Sequence, residues 1–431
     1  MIRFFIIFFT AVVTSLYFFP FEFIALPGVN TKMAMAVVGI LICMYQLTQK
    51  REFNISKDLL LLSLISFGIS LIAYFSVVYN NTPDYSYVTY FISMFVWLSA
   101  AFVVCKLIKK VHEKITIELL CHYLIAVCVA QCILALVIDY VPTVKNVVDT
   151  YINQDQGLLN EIDRLYGIGA WLDVAGSRFA ASLIMIAYLA YKYRFELTRS
   201  ELWLYILAYI LISVIGNMIA RTTTVGNVIS LVYLIFMLKP WKMGIKMKSI
   251  KLWVNTIVLV LLVLPIIGYF YTTNAQFKSL FQYGFEGFYN FIEDGSWETS
   301  STNMLKTMYV FPETLKTWII GDGYYVNPYR LDPNYVGEKV YYLGYYMLTD
   351  VGYLRFIFYF GLIGMVGFIF LITSITKILI VRSPIHKFLF LMLLFANLVI
   401  WLKVSTDIFL IFALLFCVTN IQDNKVSYLK G

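Results

Sequence analysis

The sequence predicts an all-α protein that crosses a membrane many times. Its 431 residues are 61% hydrophobic and 13% charged, and the mean hydropathy is +0.79. Because a soluble protein carries roughly 25% charged residues, this balance is typical of a chain that lies in a bilayer. Long apolar runs follow one another, and Lys and Arg lie in short clusters between them.

The apolar runs set the predicted spans. A spanning helix needs about 20 apolar residues, within a range of about 17–25. The first run has no Ala-x-Ala cleavage site after it, which favours a retained span over a removed signal peptide. About twelve spans are predicted, near residues 4–20, 33–48, 58–79, 86–108, 116–139, 177–193, 201–219, 222–238, 251–271, 351–376, 387–402 and 405–421.

The basic residues set the predicted orientation. Lys and Arg gather in one alternating set of loops, such as 106–114 and 239–251, and the short loops on the opposite side carry few. Loops rich in Lys and Arg stay in the cytoplasm, so both termini are predicted to be cytoplasmic. Two long loops, about 140–176 and 272–350, then face outward. The whole chain, 1–431, is predicted to be a single integral membrane domain with a large periplasmic loop at about 272–350.

Composition also argues against several functions. The net charge of +8 comes from short loops, so it does not indicate a nucleic-acid partner. The six cysteines fall in apolar runs, which predicts no disulfide framework. His112, His122 and His386 are predicted at or near the cytoplasmic side, and no outer His or Cys set suits a metal. Without an Asp-x-Asp pair or a phosphate-binding Gly-rich loop, neither a metal, nor a cofactor, nor ATP use is predicted.

Arginines on the predicted outer side are the first candidates for function. An ionisable side chain near hydrocarbon is costly, so it usually has a partner or a task. Arg221 lies in the turn Ala-Arg-Thr-Thr-Thr, where a guanidinium can hold a phosphate with two hydrogen bonds or reach out to a lipid headgroup. Arg164 lies in a Gly-rich stretch that permits close approach to a ligand, or it pairs locally with Asp163 or Glu161. Arg178 and Arg355 are further candidates for binding a phosphate group.

An acid and several tyrosines complete the candidate set. Asp350 lies at the start of a predicted span, where it acts as a general base or caps the helix. The turn Gly321-Asp-Gly-Tyr-Tyr325 contributes Asp322, Tyr324 and Tyr325, and Tyr353 follows in the next helix. Aromatic faces with polar rims suit carbohydrate, and they also suit the membrane interface.

Four motifs stand in order along the chain. They are Arg164-Leu-Tyr-Gly167 with Ser177-Arg-Phe-Ala-Ala181, then Ala220-Arg-Thr-Thr, then Ile319-Ile-Gly-Asp-Gly-Tyr, then Asp350-Val-Gly-Tyr-Leu with Gly361 and Gly364. As an ordered set they resemble motifs of the O-antigen polymerase and O-antigen ligase family (Wzy and WaaL) of bacterial polysaccharide enzymes. In the ligases the closing position is typically His. Asp350 stands there in this chain, so the resemblance favours a polymerase.

The resemblance implies a glycosyltransferase-C-like membrane fold and a metal-independent glycosyl transfer at the periplasmic face of the bacterial inner membrane. The family joins oligosaccharide units carried on undecaprenyl diphosphate. The implied roles are diphosphate binding for Arg164, Arg178, Arg221 and Arg355, catalysis for Asp350, and glycan binding for Asp322, Tyr324, Tyr325 and Tyr353. Implied partners are the lipid-linked glycan and membrane lipid, with a chain-length regulator and a flippase of the same pathway.

Three other functions remain open at this point. An O-antigen ligase has the same fold and donor but transfers the glycan to lipid A core. A flippase of the lipid-linked unit fits twelve spans, although transporters typically carry charges within their spans, and such charges are scarce here. A scaffold whose large loop only binds partners explains the loop but not the arginines at the helix starts.

Overall fold

A computed structural model of the chain describes residues 2–49, 56–154, 164–238, 254, 261, 264–296, 298–331, 344–406 and 408–428. In chain order the elements are α1 (Ile2–Phe18), β1 (Glu22–Phe23), α2 (Thr31–Gln49), α3 (Lys57–Asn80), α4 (Tyr90–His112), α5 (Ile117–Tyr140), α6 (Pro142–Tyr151), β2 (Ile152–Asn153), α7 (Leu172–Lys192), α8 (Arg199–Ile219), α9 (Thr223–Leu238), α10 (Ala275–Gly284), α11 (Glu286–Asp294), α12 (Ser300–Met308), α13 (Leu315–Ile319), α14 (Pro328–Leu331), α15 (Gly352–Arg382), α16 (Lys387–Ile400) and α17 (Phe409–Tyr428). Short 3₁₀ turns lie at Tyr346–Leu348 and Pro384–His386.

The predicted all-α class is confirmed for the described residues. Their only paired strands are β1 and β2, two residues each, joined antiparallel with Glu22 opposite Asn153. Within the described ranges, seven helices are long and apolar enough to cross a membrane by length and composition: α2, α3, α4, α5, α7, α8 and α15. Shorter apolar helices lie at Arg3–Phe18, Thr223–Leu238, Pro384–Ile400 and Phe409–Thr419. The protein therefore has the character of a helical membrane protein.

The number of spans and the orientation stay predictions. Each predicted run except 251–271 coincides with an apolar helix of the structure. The predicted span 251–271 lies largely outside the described residues, although residues 264–273 are helical. The basic loop 239–251 also lies outside them.

The segment predicted as a large outer loop, 272–350, carries its own short helices. Five of them, α10 to α14, lie between residues 275 and 331. Several begin with a side-chain cap, such as the Thr299 hydroxyl that accepts the N–H of Thr302 at 2.9 Å. Caps of this kind satisfy backbone groups that a short helix leaves open. Residues 332–343 of this segment lie outside the described ranges.

The contacts of the chain divide into two compact units, described separately below. The first comprises Met1–Ala34, Val104–Trp297 and Leu391–Ala396, and the second comprises Met35–Val103, Glu298–Phe390 and Asn397–Gly431. The prediction of a single integral membrane domain stays a prediction.

In the first unit, α7 is the central helix. Its residues from Ala175 to Ala190 are buried without interruption, and it packs against α5, α8 and α9. The closest approach is at Gly226 of α9, where an added Cβ would lie 2.3 Å from the Ala180 Cα. Small residues at such crossings let helix backbones pack closely in a membrane, where van der Waals contact supplies much of the association energy.

In the second unit, α15 is the central helix. It packs against α3, α13 and α17, and the stretch near its start from Leu354 to Gly361 is buried continuously. The helix is broken at Phe360 and Gly361, where Gly361 has φ of 69° and ψ of −173°. A residue with a side chain rarely adopts that conformation. The break is therefore built into the sequence at a glycine, and it shapes the candidate site of this unit.

Candidate functional site

The candidate site residues divide between the two units. Arg164, Arg178 and Arg221 belong to the first unit, and the other predicted residues belong to the second.

Arg221 lies in the tight turn between α8 and α9. The turn is held by hydroxyl groups on either side of it. Thr223 donates a hydrogen bond to the Gly216 carbonyl at 3.0 Å, and Thr224 donates to the Asn217 Oδ1 at 2.7 Å. The Thr222 hydroxyl bonds the Asp173 carboxylate of α7. These bonds fix the backbone of the turn, so the arginine leaves it in a defined direction.

Tyr283 is the neighbour of Arg221 that the sequence did not single out. The Arg221 Cζ lies 4.1 Å from the centroid of the Tyr283 ring. The next residue, Gly284, explains the approach, because a Cβ there would lie 3.2 Å from the backbone of Asn217 and Met218. A glycine thus lets α10 pack directly on the end of α8. That contact places the Tyr283 ring beside Arg221.

Arg164 contacts the same ring. Its Cζ lies 4.6 Å from the Tyr283 centroid, so two guanidinium groups share one aromatic side chain. A cation near an aromatic face is attracted by about 0.5–2 kcal/mol. The tyrosine therefore offsets part of the repulsion between two like charges. We call Arg164, Arg221 and Tyr283 the arginine pair site.

A rigid turn positions Arg164. Gln131 of α5 accepts the N–H of Ile168 at 3.0 Å and donates to the Ile168 carbonyl at 3.0 Å. Gln154 accepts the N–H of Gly169 at 2.7 Å. The hydroxyl of Tyr166 donates to the Asp149 carboxylate at 2.8 Å. The turn that follows Arg164 is thereby tied to three side chains.

A carboxylate completes the surroundings of the arginine pair site. Glu286, the first residue of α11, forms an ion pair with Arg221, and the two side chains are 26% and 12% exposed. Arg221 thus has a partner within the protein, Glu286. The predicted contact of Arg221 with a lipid headgroup stays a prediction. The alternative partners of Arg164, Glu161 and Asp163, lie outside the described residues.

Arg178 has other neighbours. It lies on α7 with only 6% of its side chain exposed, and its Cζ is 5.3 Å from the centroid of the Phe19 ring. The Phe18 ring lies 6.0 Å away. Arg178 therefore contacts a different pair of rings from Arg164 and Arg221. Its predicted role in binding diphosphate stays a prediction, and its enclosure favours a role in packing.

In the second unit, Asp350 pairs with Arg355. The Asp350 Oδ1 lies 3.4 Å from the Arg355 Nη1, and the same Nη1 donates to the Ser405 hydroxyl at 2.9 Å. The Arg355 Cζ lies 3.7 Å from the centroid of the Tyr325 ring and 3.6 Å from that of Tyr345. The Arg355 side chain is 4% exposed and that of Asp350 is 21% exposed. The arginine is therefore the enclosed partner, and the carboxylate is the accessible one.

This arrangement bears on the two roles predicted for Asp350. The N-cap of α15 is Val351, which has no side-chain cap, so Asp350 lies one residue ahead of the capping position. Its side chain instead meets Arg355. Burial raises the pKa of Tyr345 above its ordinary value, and the Asp350 carboxylate adds to the rise. Tyr345 therefore stays a neutral phenol whose ring faces the guanidinium.

The turn Gly321-Asp322-Gly323 fills the break in α15. The N–H of Asp322 donates to the Phe358 carbonyl at 2.6 Å, and the N–H of Gly323 donates to the Tyr359 carbonyl at 3.1 Å. A broken helix in a membrane needs such replacement partners for its freed carbonyls. The Asp322 side chain bonds Lys316 at 2.6 Å and Thr317 at 2.8 Å, and it accepts the Tyr346 hydroxyl at 3.3 Å. Its predicted contact with glycan stays a prediction.

Asp84 anchors the tyrosines that follow this turn. Only 1% of its surface is exposed, and its Oδ2 accepts the N–H of Tyr325 at 2.7 Å and of Val326 at 2.9 Å. Tyr324 packs on Tyr346 at 5.4 Å between ring centroids. Tyr353 turns to α16, where its hydroxyl donates to the Leu398 carbonyl at 2.9 Å. Tyr325 thus joins the Asp350 group, whereas Tyr324 and Tyr353 contact other neighbours.

Sequence reasoning missed Gln131, Tyr283, Glu286, Asp84 and Ser405. Gln131 carried a usable signal, since it is an amide within a predicted span and buried polar groups there need partners. The others carried none, because a Tyr or a Glu in a polar segment is ordinary. Comparisons of the chain with protein-family models, with curated proteins and with solved structures found no match.

Proposed function

We propose that this protein is a glycosyltransferase of a bacterial cytoplasmic membrane that joins oligosaccharide repeat units carried on undecaprenyl diphosphate. The product is a long surface polysaccharide, an O-antigen or a capsule, assembled at the periplasmic face. The observation that carries the proposal is the arginine pair site. Two guanidinium groups on one ring, held by rigid turns, suit a ligand with two neighbouring phosphates.

The reaction follows from the chemistry of such a donor. A hydroxyl at the non-reducing end of an acceptor unit attacks the anomeric carbon of the donor sugar. A new C–O bond forms, the bond from the sugar to the diphosphate breaks, and undecaprenyl diphosphate leaves with the electron pair. Arg164 and Arg221 stabilise the charge that develops on the leaving diphosphate. Fixed cations do this with little reorganisation, which is the main advantage of a preorganised site.

Asp350 accepts the proton from the attacking hydroxyl. In this role its accessible carboxylate faces the acceptor, and the enclosed Arg355 holds it in place. We therefore assign Arg355 to positioning Asp350. The tyrosines of the second unit, with Tyr325 fixed by Asp84, supply aromatic faces of the kind that bind sugar rings.

A turnover assay tests the proposal. The purified protein in detergent is incubated with the undecaprenyl-diphosphate repeat unit of its host, and the products are separated on a gel. We expect a ladder of multiples of the unit. Transfer that appears only after addition of lipid A core would identify a ligase instead. Absence of any product from folded protein, together with movement of the lipid-linked unit across vesicles, would identify a flippase.

A further inference from the structure

The ion pair between Arg221 and Glu286 raises a question about how an anion reaches the arginine pair site. Of the two side chains, Arg221 is 12% exposed and Glu286 is 26% exposed. In such a weakly hydrated setting a guanidinium is costly without an anion beside it. A diphosphate in the same place would meet the negative charge of Glu286 at close range. Like charges in a medium of low dielectric repel strongly.

We propose that Glu286 is an exchangeable counter-ion, which an incoming diphosphate displaces from Arg221. In the absence of ligand the carboxylate satisfies the arginine. When a diphosphate binds, Glu286 leaves and the phosphate oxygens take its position. The exchange sets the affinity and the selectivity of the site. This inference rests on the proposed function of the arginine pair and adds a competitor that belongs to the chain itself.

The helix that carries Glu286 is suited to such movement. In α11, the residues Phe288, Phe291, Ile292, Glu293 and Asp294 are exposed. Among the described elements its main packing partner is the preceding helix, α10. Segments with few buried contacts open at low cost in free energy. By contrast, α10 is pressed against the backbone of α8 at Gly284, so the Tyr283 ring stays in place while Glu286 moves.

Binding measurements on charge variants test the exchange directly. The probe is geranylgeranyl diphosphate in detergent, with geranylgeranyl monophosphate for comparison. We expect Glu286→Gln to bind the diphosphate about tenfold more tightly than the natural protein, because the competing charge is gone. The matched control is Glu293→Gln, an exposed position of the same helix, and we expect it to bind as the natural protein does. In an Arg221→Ala background, Glu286→Gln should bring no gain.

A second measurement needs no variant at Glu286. Carboxylates of the natural protein are labelled with a carbodiimide and a small amine, with and without geranylgeranyl diphosphate, and are located by mass spectrometry. We expect ligand to increase the labelling of Glu286 and to leave that of Glu293 unchanged.

The outcomes separate this inference from the proposed function. Suppose that Arg221→Ala loses diphosphate binding, that Glu286→Gln binds no more tightly, and that ligand does not raise the labelling of Glu286 in the natural protein. The arginine site then stands and the exchange is wrong. If the natural protein, Glu286→Gln and Arg221→Ala all fail to bind diphosphate, both are wrong. Tighter binding by Glu286→Gln with increased labelling of Glu286 establishes the exchange, whatever the product of the enzyme.

Discussion

At the scale of single residues, the molecule solves the problem of placing cations near hydrocarbon in two ways. Arg164 and Arg221 both lie against the ring of Tyr283, whereas Arg355 contacts the rings of Tyr325 and Tyr345 and pairs with an acid. In the first arrangement Arg221 also pairs with the Glu286 carboxylate. In the second, the Nη1 of Arg355 contacts both Asp350 and Ser405. Under the proposed function, the same residue type would bind ligand in one unit and position Asp350 in the other.

The arginine pair leads to the first prediction. Arg221→Ala and Arg164→Ala should each lower the rate of chain extension about 10²–10³-fold, the usual effect of removing one group that stabilises developing charge. The readout is the ladder formed from lipid-linked repeat units. Arg199→Ala is the matched control, because Arg199 is an exposed arginine at the start of α8. Ladders of natural length and rate from either variant would remove that arginine from the mechanism.

Asp350 leads to the second prediction. Asp350→Asn keeps the shape of the side chain and removes the base, so turnover should fall about 10²–10⁴-fold while diphosphate binding is retained. Arg355→Lys should lower turnover less, since lysine keeps the charge but loses the planar contact with Tyr325 and Tyr345. Turnover and diphosphate binding are measured on the same preparations. An Asp350→Asn protein that extends chains at the natural rate would leave Asp350 with a structural role.

At the scale of elements, the break in α15 connects a polar segment to an apolar helix. The Gly321-Asp322-Gly323 turn supplies the donors that the carbonyls of Phe358 and Tyr359 lack inside the helix. Gly361 makes the break possible, and its Cα faces the Ile319 carbonyl so closely that an added Cβ would lie 2.0 Å from that oxygen. The turn therefore packs directly into the break.

The third prediction follows from this close approach. Gly361→Ala should destabilise the protein by more than the roughly 1–3 kcal/mol that a side chain costs in this glycine-specific conformation, because the methyl group also meets the Ile319 backbone. Thermal unfolding in detergent measures the effect. Gly68→Ala is the control, since Gly68 lies in α3 with open space around it. Equal melting temperatures for Gly361→Ala and the natural protein would show that the break does not need a glycine.

The elements also show what local sequence can predict. Apolar runs of the right length predicted the long helices, because burial in lipid imposes that length on any spanning segment. No local pattern in the sequence indicates the hydrogen bonds between residues that are far apart along the chain. Asp84 bonds a backbone N–H 241 positions away, and Glu286 pairs with an arginine 65 positions away. Candidate arginines were visible because charge near an apolar run is rare, whereas Tyr283 was hidden among many tyrosines.

At the scale of the whole molecule, orientation is the property on which every assignment to an outer face depends. The prediction rests on the Lys and Arg of short loops. Ile292 of α11 is 81% exposed within the segment predicted to face outward, and Lys110 lies in the last turn of α4, on the side predicted to face the cytoplasm. These two positions offer a direct comparison.

The fourth prediction uses them. Ile292→Cys should react with a membrane-impermeant maleimide in intact spheroplasts, and Lys110→Cys should react only after the membrane is permeabilised. The natural protein, whose six cysteines include four that are buried, measures the background. The reverse pattern would mean that the predicted orientation is wrong and that the segment 272–350 faces the cytoplasm. That result would exclude the proposed reaction at the periplasmic face.

The ring of Tyr283 bears on how the proposed enzyme would select its substrate within a lipid bilayer. A substrate carried on a polyprenyl chain is a trace solute, and the solvent around it is made of phospholipids that each present one phosphate. Two linked phosphates offer two guanidinium groups more oxygen acceptors than the single phosphate of an ordinary lipid does. The proposed function therefore predicts that ordinary phospholipids bind the site more weakly than a diphosphate lipid. Under the proposed function, two arginines at one ring, rather than the strength of either alone, would select a rare diphosphate lipid among common phospholipids.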